Sequence, residues 1–479
     1  MTTELAPENL YKDINLHASR YRYARIPLNN LPSGIASMLA TSTTLCEWKL
    51  PASTVFNLSK SFIQYQITFP AGAAGSYACI HADGCDFRQV YFGNGSGLGI
   101  TDLSSLDTYI NSQRPYATSY DDFICRDQLN GMYPCNQLNS SNIFPQSLDG
   151  TLLGTANAST KSYTEPQHLE INPTPATVTT ISRYFKLSDI VNSALSQNQD
   201  KVFGIDMYLR LWTQYLQRVG FYTTTPNNPN IDANSTSPIG NANMSNLVLY
   251  LAIQENLNIR DKLLTYLASG NMKMTVPYPY AYRFNSAPAS TNASISITLT
   301  KNYGRLIKNI SFVPYNGSEY KQYAYAHSNV NGTMINTIQS TMDGRPLTDY
   351  TLNCYNPNSS VNPLGVAWNN PATFADDWRE NNKFISGSTI TSYPMYASMW
   401  MYRDSWGTLA GLDSKIPDYL INDGFDLLKT GDHIYSVTAL SGAGTNVTSN
   451  INGSGLVNYI YINFLRTLLV QPQSIILDY

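Results

Sequence analysis

Charged residues are scarce in this chain of 479 residues: Asp, Glu, Lys and Arg together make up 13%, against a usual share of about 25%. The formal net charge is only −3, so the chain as a whole has no general attraction for nucleic acid or an anionic membrane. Asn, Ser and Thr are abundant instead, together with 35 tyrosines. Such a surface suits burial against neighbouring molecules, because few charges have to be desolvated.

Long apolar runs are also missing. No segment approaches the roughly 20 apolar residues that a membrane-spanning helix needs, and no N-terminal stretch resembles a signal peptide. We therefore expect synthesis and folding in the cytosol. The six cysteines show no regular spacing, so we expect buried free thiols rather than a disulfide framework.

Catalytic motifs are absent as well. The five histidines are scattered, and neither G-x-S-x-G nor H-E-x-x-H occurs. Cys79, His81 and Cys85 lack the spacing of a metal site, and Asp83-Gly84 favours an ordinary β-hairpin joining strands at 77–81 and 86–92. The sequence therefore predicts no catalytic residue, no metal site and no cofactor, and we expect no enzyme.

Alternation of apolar and polar residues with a period of two predicts β-strands in both halves of the chain. We expect Ile205, Leu209 and Leu211 in the core of the first half, and Ile295, Ile297 and Leu299 in the core of the second. The clearest predicted strands are 45–50, 61–69, 204–213, 247–253, 272–284, 294–300, 306–313 and 456–469.

The two halves share a further pattern, in which a strand enters a short helix and another strand follows. In the first half, strand 178–184 precedes a predicted helix 187–195 with Ser188 as its cap candidate. In the second half, Pro371 opens a predicted helix before strand 391–402. This duplication predicts two β domains of one kind.

We expect the following organisation. Residues 1–20 form an N-terminal arm, 21–257 a first β domain, 258–270 a linker helix and 271–479 a second β domain. The helix is marked by an apolar stripe from Ile259 to Leu267 and by Gly270 as its stop. Two polar stretches, 104–175 and 223–245, are expected to be extended surface loops, and Asp343-Gly344 is expected to turn a hairpin.

Three parts of the sequence resemble the double jelly-roll major capsid proteins of the adenovirus and tailless-phage lineage, most of all those of polinton-like viruses and virophages. The resemblance spans roughly residues 21–470 and leaves the loops 104–175 and 223–245 without a counterpart. It is carried by strand 45–51 with the Asn57-Leu58-Ser59 turn and the strand from Ser61, by Phe185-Lys186-Leu187-Ser188-Asp189-Ile190, and by 329–350 with Met342-Asp343-Gly344-Arg345-Pro346-Leu347.

The resemblance implies an all-β fold of two tandem eight-stranded jelly rolls with short helices and long loops. It implies a homotrimer that forms a pseudo-hexagonal capsomer of an icosahedral shell, with neighbouring capsomers, penton and minor capsid proteins as partners, and location in a virion after synthesis in the host cytoplasm. Arg20, Arg22 and Arg25, interleaved with tyrosines, are candidate residues for an interior contact with a membrane or genome.

Two other classes of protein remain open from the residues alone. A carbohydrate-binding β-sandwich also uses exposed aromatic side chains, and whether Trp400 and Trp406 form an exposed platform or lie in a core discriminates this alternative. A carbohydrate-active enzyme needs two facing carboxylates roughly 5–9.5 Å apart in a cleft.

Overall fold

A computed structural model of the chain describes the residues given at the end of this paragraph. The turn at 83–84, the helix after Pro371 and the strand expected at 391–402, apart from Tyr402, lie outside them. The described ranges are 20–31, 34–39, 42–71, 77–80, 86–106, 109, 170–172, 179–190, 192–223, 236–285, 292–316, 335–347, 352–353, 402–406, 424–427, 432–441 and 456–478.

The first half of the chain contains the strands β1 to β12. A three-residue 3-10 helix at Leu187–Asp189 and the helix α1 (Leu216–Val219) lie between them. In chain order the strands are β1 (Tyr21–Pro27), β2 (Leu45–Leu50), β3 (Phe56–Phe69), β4 (Tyr77–Ile80), β5 (Phe87–Gly93), β6 (Gly99–Leu103), β7 (Glu170–Asn172), β8 (Thr179–Lys186), β9 (Met207–Thr213), β10 (Gly220–Thr223), β11 (Thr236–Pro238) and β12 (Asn243–Gln254).

Eight of these strands form a first barrel of two antiparallel four-stranded sheets, ordered β1-β12-β3-β8 and β2-β9-β5-β6. Counted along the chain, the orders are first-eighth-third-sixth and second-seventh-fourth-fifth. This order is that of a jelly roll. Its core contains Leu209 and Leu211, both fully buried as expected, whereas Ile205 is only partly buried against the core.

The helix α2 (Leu257–Ala268) follows β12 and confirms that the segment expected as a linker helix, 258–270, is helical up to Ala268. The Asn256 side chain caps it by accepting hydrogen bonds from the backbone N–H groups of Asn258 and Ile259. Gly270 just beyond it has a φ of +73°, a left-handed conformation that favours glycine. The helix leads directly into the strands of the second half.

The second half repeats the strand order of the first. Its two sheets are ordered β13-β22-β15-β19 and β14-β21-β16-β17, with β20 added to β15, β23 to β22 and β18 to β16. The strands are β13 (Met272–Asn285), β14 (Asn292–Leu299), β15 (Leu306–Asn316), β16 (Ile335–Met342), β17 (Arg345–Pro346), β18 (Leu352–Asn353), β19 (Tyr402–Ser405), β20 (Phe425–Asp426), β21 (His433–Ser441), β22 (Leu456–Gln471) and β23 (Ser474–Asp478).

Leaving out the three added strands, the eight remaining strands again pair as first-eighth-third-sixth and second-seventh-fourth-fifth. Each described pair joins two strands of the same half. The fold is therefore two tandem jelly rolls, as expected, whereas the exact domain boundaries stay a prediction. In the second core Ile297 and Leu299 are buried and Ile295 is partly buried.

The Asp343-Gly344 turn is confirmed. Met342 pairs with Arg345, and the two turn residues have φ values of +52° and +75°, as a tight two-residue hairpin requires.

The helix expected at 187–195 is wrong. Only Leu187–Asp189 is helical, its cap residue is Lys186 rather than Ser188, and no side chain caps it. Asn192 has a φ of +58°, and the Ser193 hydroxyl donates to the carbonyl of Ile190, so the backbone turns away from a helical path. The apolar residues of this segment are buried all the same, including Leu187, Ile190 and Leu195.

The hairpin expected between 77–81 and 86–92 is also wrong. Strand β4 pairs with β7 and β10, whereas β5 pairs with β6 and β9. The Asn57-Leu58-Ser59 turn is wrong too, because these residues lie within β3, where Asn57 and Leu58 are buried. Of the loop expected at 223–245, the described part contains β11 and the start of β12.

Candidate functional site

The contact between the two barrels is a buried site that contains both aromatic and polar side chains. Tyr109, which follows β6 along the chain, donates a hydrogen bond from its hydroxyl to Oδ1 of Asn463 at 3.1 Å. Its ring meets the ring of Tyr461 edge-on, with centroids 5.3 Å apart. The Asn463 amide donates in turn to Oδ1 of Asn309 at 2.6 Å. The first barrel thus covers the middle of the outer face of the sheet β13-β22-β15-β19, at β22 and β15.

Arg466 on β22 anchors the same contact from inside the second barrel. Nη1 donates to the carbonyl of Gly99 at 2.6 Å, Nε donates to the carbonyl of Tyr303, and the guanidinium lies 3.3 Å from the ring centroid of Tyr278. Burial raises the pKa of Tyr278 to about 12. Burial also raises the pKa of Asp102, and the positive charge of Arg466 partly offsets this rise. One buried arginine therefore joins β6 of the first barrel to the second barrel.

The three candidate arginines lie at the edge strand β1. Arg20, just before the strand, and Arg22 share the carboxylate of Glu255 at 3.2 and 3.3 Å, with 81% and 66% of their side chains exposed. Arg25 lies apart from them, with its guanidinium carbon 5.9 Å from the ring centroid of Tyr250. The structure therefore brings two of the three together, on a surface where ion pairs contribute little stability.

A polar network around Asp200 holds the start of β1, and the sequence did not indicate it. Asp200 accepts hydrogen bonds from the Tyr21 hydroxyl at 2.8 Å, the Asn57 amide at 3.1 Å and the Gln254 amide at 2.8 Å. These residues are far apart in the chain and belong to no local motif, so only the fold brings them together. The network therefore ties the start of β1 to β3 and β12.

The first barrel also carries a separate sheet, ordered β11-β10-β4-β7. Its strands come from the segments that join the third to the fourth, the fifth to the sixth and the seventh to the eighth barrel strand. Since successive barrel strands run in opposite directions, these connections leave one end of the barrel. Strand β1 begins at the other end, so Arg20 and this extra sheet lie at opposite ends of the barrel.

Trp406, one of the two discriminating tryptophans, is partly buried against the core, with its ring centroid 5.8 Å from that of Phe425. It does not form an exposed platform. Trp400 lies outside the described residues.

Among the described residues, no group of three His, Cys, Asp or Glu side chains could hold a metal ion. Cys46 is buried, and burial raises the pKa of its thiol to about 12, which makes it an unreactive side chain. In the same part of the chain, no helix is both long and apolar enough to cross a membrane.

Two tandem jelly rolls with this strand order define the class of double jelly-roll proteins. A quasi-atomic model of the PBCV-1 virus capsid is similar over 97% of this chain and 97% of that chain, with a TM-score of 0.50 and 9% identity. The Sputnik virophage structure covers 95% of this chain and 88% of its own at a TM-score of 0.45 and 12% identity. The mavirus major capsid protein is similar over 96% of this chain and 92% of its own, with a TM-score of 0.43 and 10% identity.

At such low identity the likeness concerns the fold alone. The chain has the double jelly-roll fold of viral major capsid proteins, as the resemblance in the sequence implied. No protein-family model matches the chain, and no curated protein matches it.

Proposed function

We propose that this protein is the major capsid protein of an icosahedral virus, a structural protein without enzymatic activity. The observation that carries the proposal is the fold, which is similar to the PBCV-1 virus capsid model over nearly the whole of both chains. A polar, weakly charged and Tyr-rich composition supports it, because such surfaces can be covered by neighbouring subunits at low desolvation cost.

In this proposal three copies form a pseudo-hexagonal capsomer, and capsomers tile the shell together with penton and minor capsid proteins. Residues 21–257 and 271–479 are the two jelly-roll domains, and 258–270 links them. The protein is made in the host cytoplasm and resides in the virion. We favour this function over carbohydrate binding because Trp406 packs against the core.

The N-terminal arm is proposed to face the interior of the shell, where Arg20, Arg22 and Arg25 contact a membrane or the genome. Two arginines share one carboxylate at the edge strand, which leaves positive charge available there. The extra sheet at the opposite end of the first barrel would then point outward.

Two experiments test these proposals. Static light scattering of the purified protein should give three times the 53.2 kDa of one chain, and electron microscopy of the purified material should reveal triangular capsomers or shells. A monodisperse monomer at micromolar concentration would contradict the trimer.

Deletion of residues 1–19 tests the arm. We expect trimers of the shortened chain to form while shell assembly fails, because Tyr21 and the Asp200 network that hold β1 remain. Normal shells from the shortened chain would remove the assembly role from the arm.

A further inference from the structure

The two barrels differ in one surface, the outer face of the sheet that contains the first, eighth, third and sixth strands. In the second barrel this face is closed. Tyr461, Asn463 and Asn309 are all fully buried on it, and the side chain of Tyr109 from the first barrel covers them. A second hydrogen bond, from Nε2 of Gln197 to the carbonyl of Thr275 at 3.1 Å, extends the cover along β13.

The same face of the first barrel is open, and it is aromatic. Tyr23, Phe62, Tyr184 and Tyr250, called the aromatic face below, project from the four neighbouring strands β1, β3, β8 and β12. The rings of Phe62 and Tyr250 stack with centroids 4.9 Å apart, and Tyr23 and Tyr184 lie 5.7 and 6.0 Å from Phe62. Tyr23 is 51% exposed and Tyr184 is 47% exposed.

The fifth strand of the first barrel, which takes part in the internal contact, has a counterpart in the second barrel. In the internal contact, β6, the fifth strand of the first barrel, packs against β13, the first strand of the second. The fifth strand of the second barrel is β17, whose residues Arg345 and Pro346 are both exposed. Among the described residues, each chain therefore exposes rings of the aromatic face and the fifth strand β17, which are the counterparts of the two surfaces that meet in the internal contact.

We propose that the aromatic face binds the fifth-strand side of the second barrel in another copy of this chain, in the arrangement of the internal contact. This inference rests on the proposed capsid function and names the surfaces through which its subunits meet. Two different patches that complement each other form a head-to-tail contact, and such contacts produce closed rings when the rotation closes. Three copies then form a ring of six barrels with six similar contacts. Tyr, Phe and Arg are the residue types that such interfaces favour.

The first test places charge on the aromatic face. Tyr23→Asp together with Tyr184→Asp should raise the protein concentration at half-assembly of the trimer by at least about tenfold, because two exposed rings become carboxylates in a contact that excludes water. Tyr266→Asp is the matched control, since Tyr266 is 60% exposed and lies on α2 rather than on the four strands of this face. Circular dichroism should give the same spectrum for both variants, and sedimentation velocity measures assembly.

A second test distinguishes a head-to-tail contact from a symmetric one. Tyr23→Cys and Arg345→Cys are prepared separately, mixed, and treated with a short bismaleimide. We expect covalent dimers above the wild-type background only in the mixture. Dimers from Tyr23→Cys alone would mean that the aromatic face meets itself, which would overturn the inference.

The outcomes separate this inference from the proposed function. If the wild-type protein is a monomer, both fail. If it is a trimer and the Tyr23 and Tyr184 double variant assembles equally well, the inference fails and the trimer stands. If that variant instead forms trimers but no longer binds anionic phospholipid vesicles that the wild type binds, the aromatic face contacts a membrane, which also overturns the inference.

Discussion

The two barrels have the same strand order, but the same surface is buried in one barrel and exposed in the other. In the second barrel Tyr461 and Asn463 on the outer face of the sheet β13-β22-β15-β19 are buried against Tyr109, whereas in the first barrel the corresponding face exposes Tyr23 and Tyr184. The topology is therefore insufficient to explain which surfaces are covered. The difference teaches that one chain covers only one of these two equivalent faces, and the other is the face that we propose a second copy covers.

The largest expected effect tests whether each barrel has its own core. Leu209 on β9 and Val437 on β21 are both buried, and each lies on the seventh strand of its barrel. Leu209→Asp should unfold the first barrel and Val437→Asp the second, because an unpaired buried carboxylate costs several kcal/mol against a stability of about 5–15. Limited proteolysis with mass spectrometry identifies which barrel is digested.

Asp206→Asn is the control for that experiment. Asp206 lies on the opposite face of the same segment, and its carboxylate is 2.6 Å from Nζ of Lys49. The loss of such a surface pair should cost less than about 1 kcal/mol. Equal damage from Leu209→Asp and Asp206→Asn would contradict the assignment of the first core.

The next comparison concerns the closed and open faces themselves. Tyr461→Ala removes a fully buried ring and should cost about 3–5 kcal/mol in the free energy of unfolding. Tyr250→Ala on the aromatic face should cost about 1 kcal/mol in the dissociated monomer and should weaken trimer formation. Urea denaturation at low protein concentration measures the first quantity. Unchanged trimer formation by Tyr250→Ala would contradict the assignment of its face as an interface.

A smaller effect is expected at the arginine of the internal contact. Arg466→Met leaves the carbonyls of Gly99 and Tyr303 without this donor and should cost about 2–4 kcal/mol. Arg305→Met is the matched control, because Arg305 is half exposed and its Nη2 lies 3.5 Å from Asp426. Thermal denaturation should place Arg305→Met close to the wild type, and a similar value for Arg466→Met would contradict its anchoring role.

The smallest effect is pH-dependent and lies within the second barrel. Hydrogen bonds from His433 and from the backbone N–H of Ile434 hold the pKa of Asp343 below its ordinary value. A lowered folded-state pKa gives stability that is present above the unfolded-state value of about 4 and is lost as the pH falls through the folded-state value. The small stability difference between the wild type and Asp343→Asn, measured by urea denaturation, should therefore shrink as the pH falls below about 4.

Local patterns predicted the strands well. The alternation in 61–69, the apolar run 247–253 and the Asp343-Gly344 turn each specify a structure through neighbouring residues, and each is present. The helix α2 was predicted for the same reason, since its apolar stripe and Gly270 are close in sequence. The alternation of apolar and polar residues in both halves correctly indicated two β domains, although the helix of the strand–helix–strand pattern in the first half was wrong.

Pairings between distant segments could not be predicted in the same way. Strand β4 pairs with β10 rather than with β5, the next strand along the chain. The pairing depends on contacts between distant segments, which a local turn signal does not encode. The Asp200 network and the anchor Arg466 also depend on residues far apart in the chain. For the candidate arm, Arg20, Arg22 and Arg25 could be named from the sequence, but their separation along the β1 surface could not.

Electron microscopy of single purified particles tests the central claim most directly. If a head-to-tail ring of three chains completes the contact that one chain leaves open, class averages should contain a ring of six barrel densities with threefold symmetry, and the Tyr23→Asp, Tyr184→Asp variant should contain mainly particles with two lobes. Wild-type particles with two lobes, at concentrations where the protein is folded, would contradict the claim.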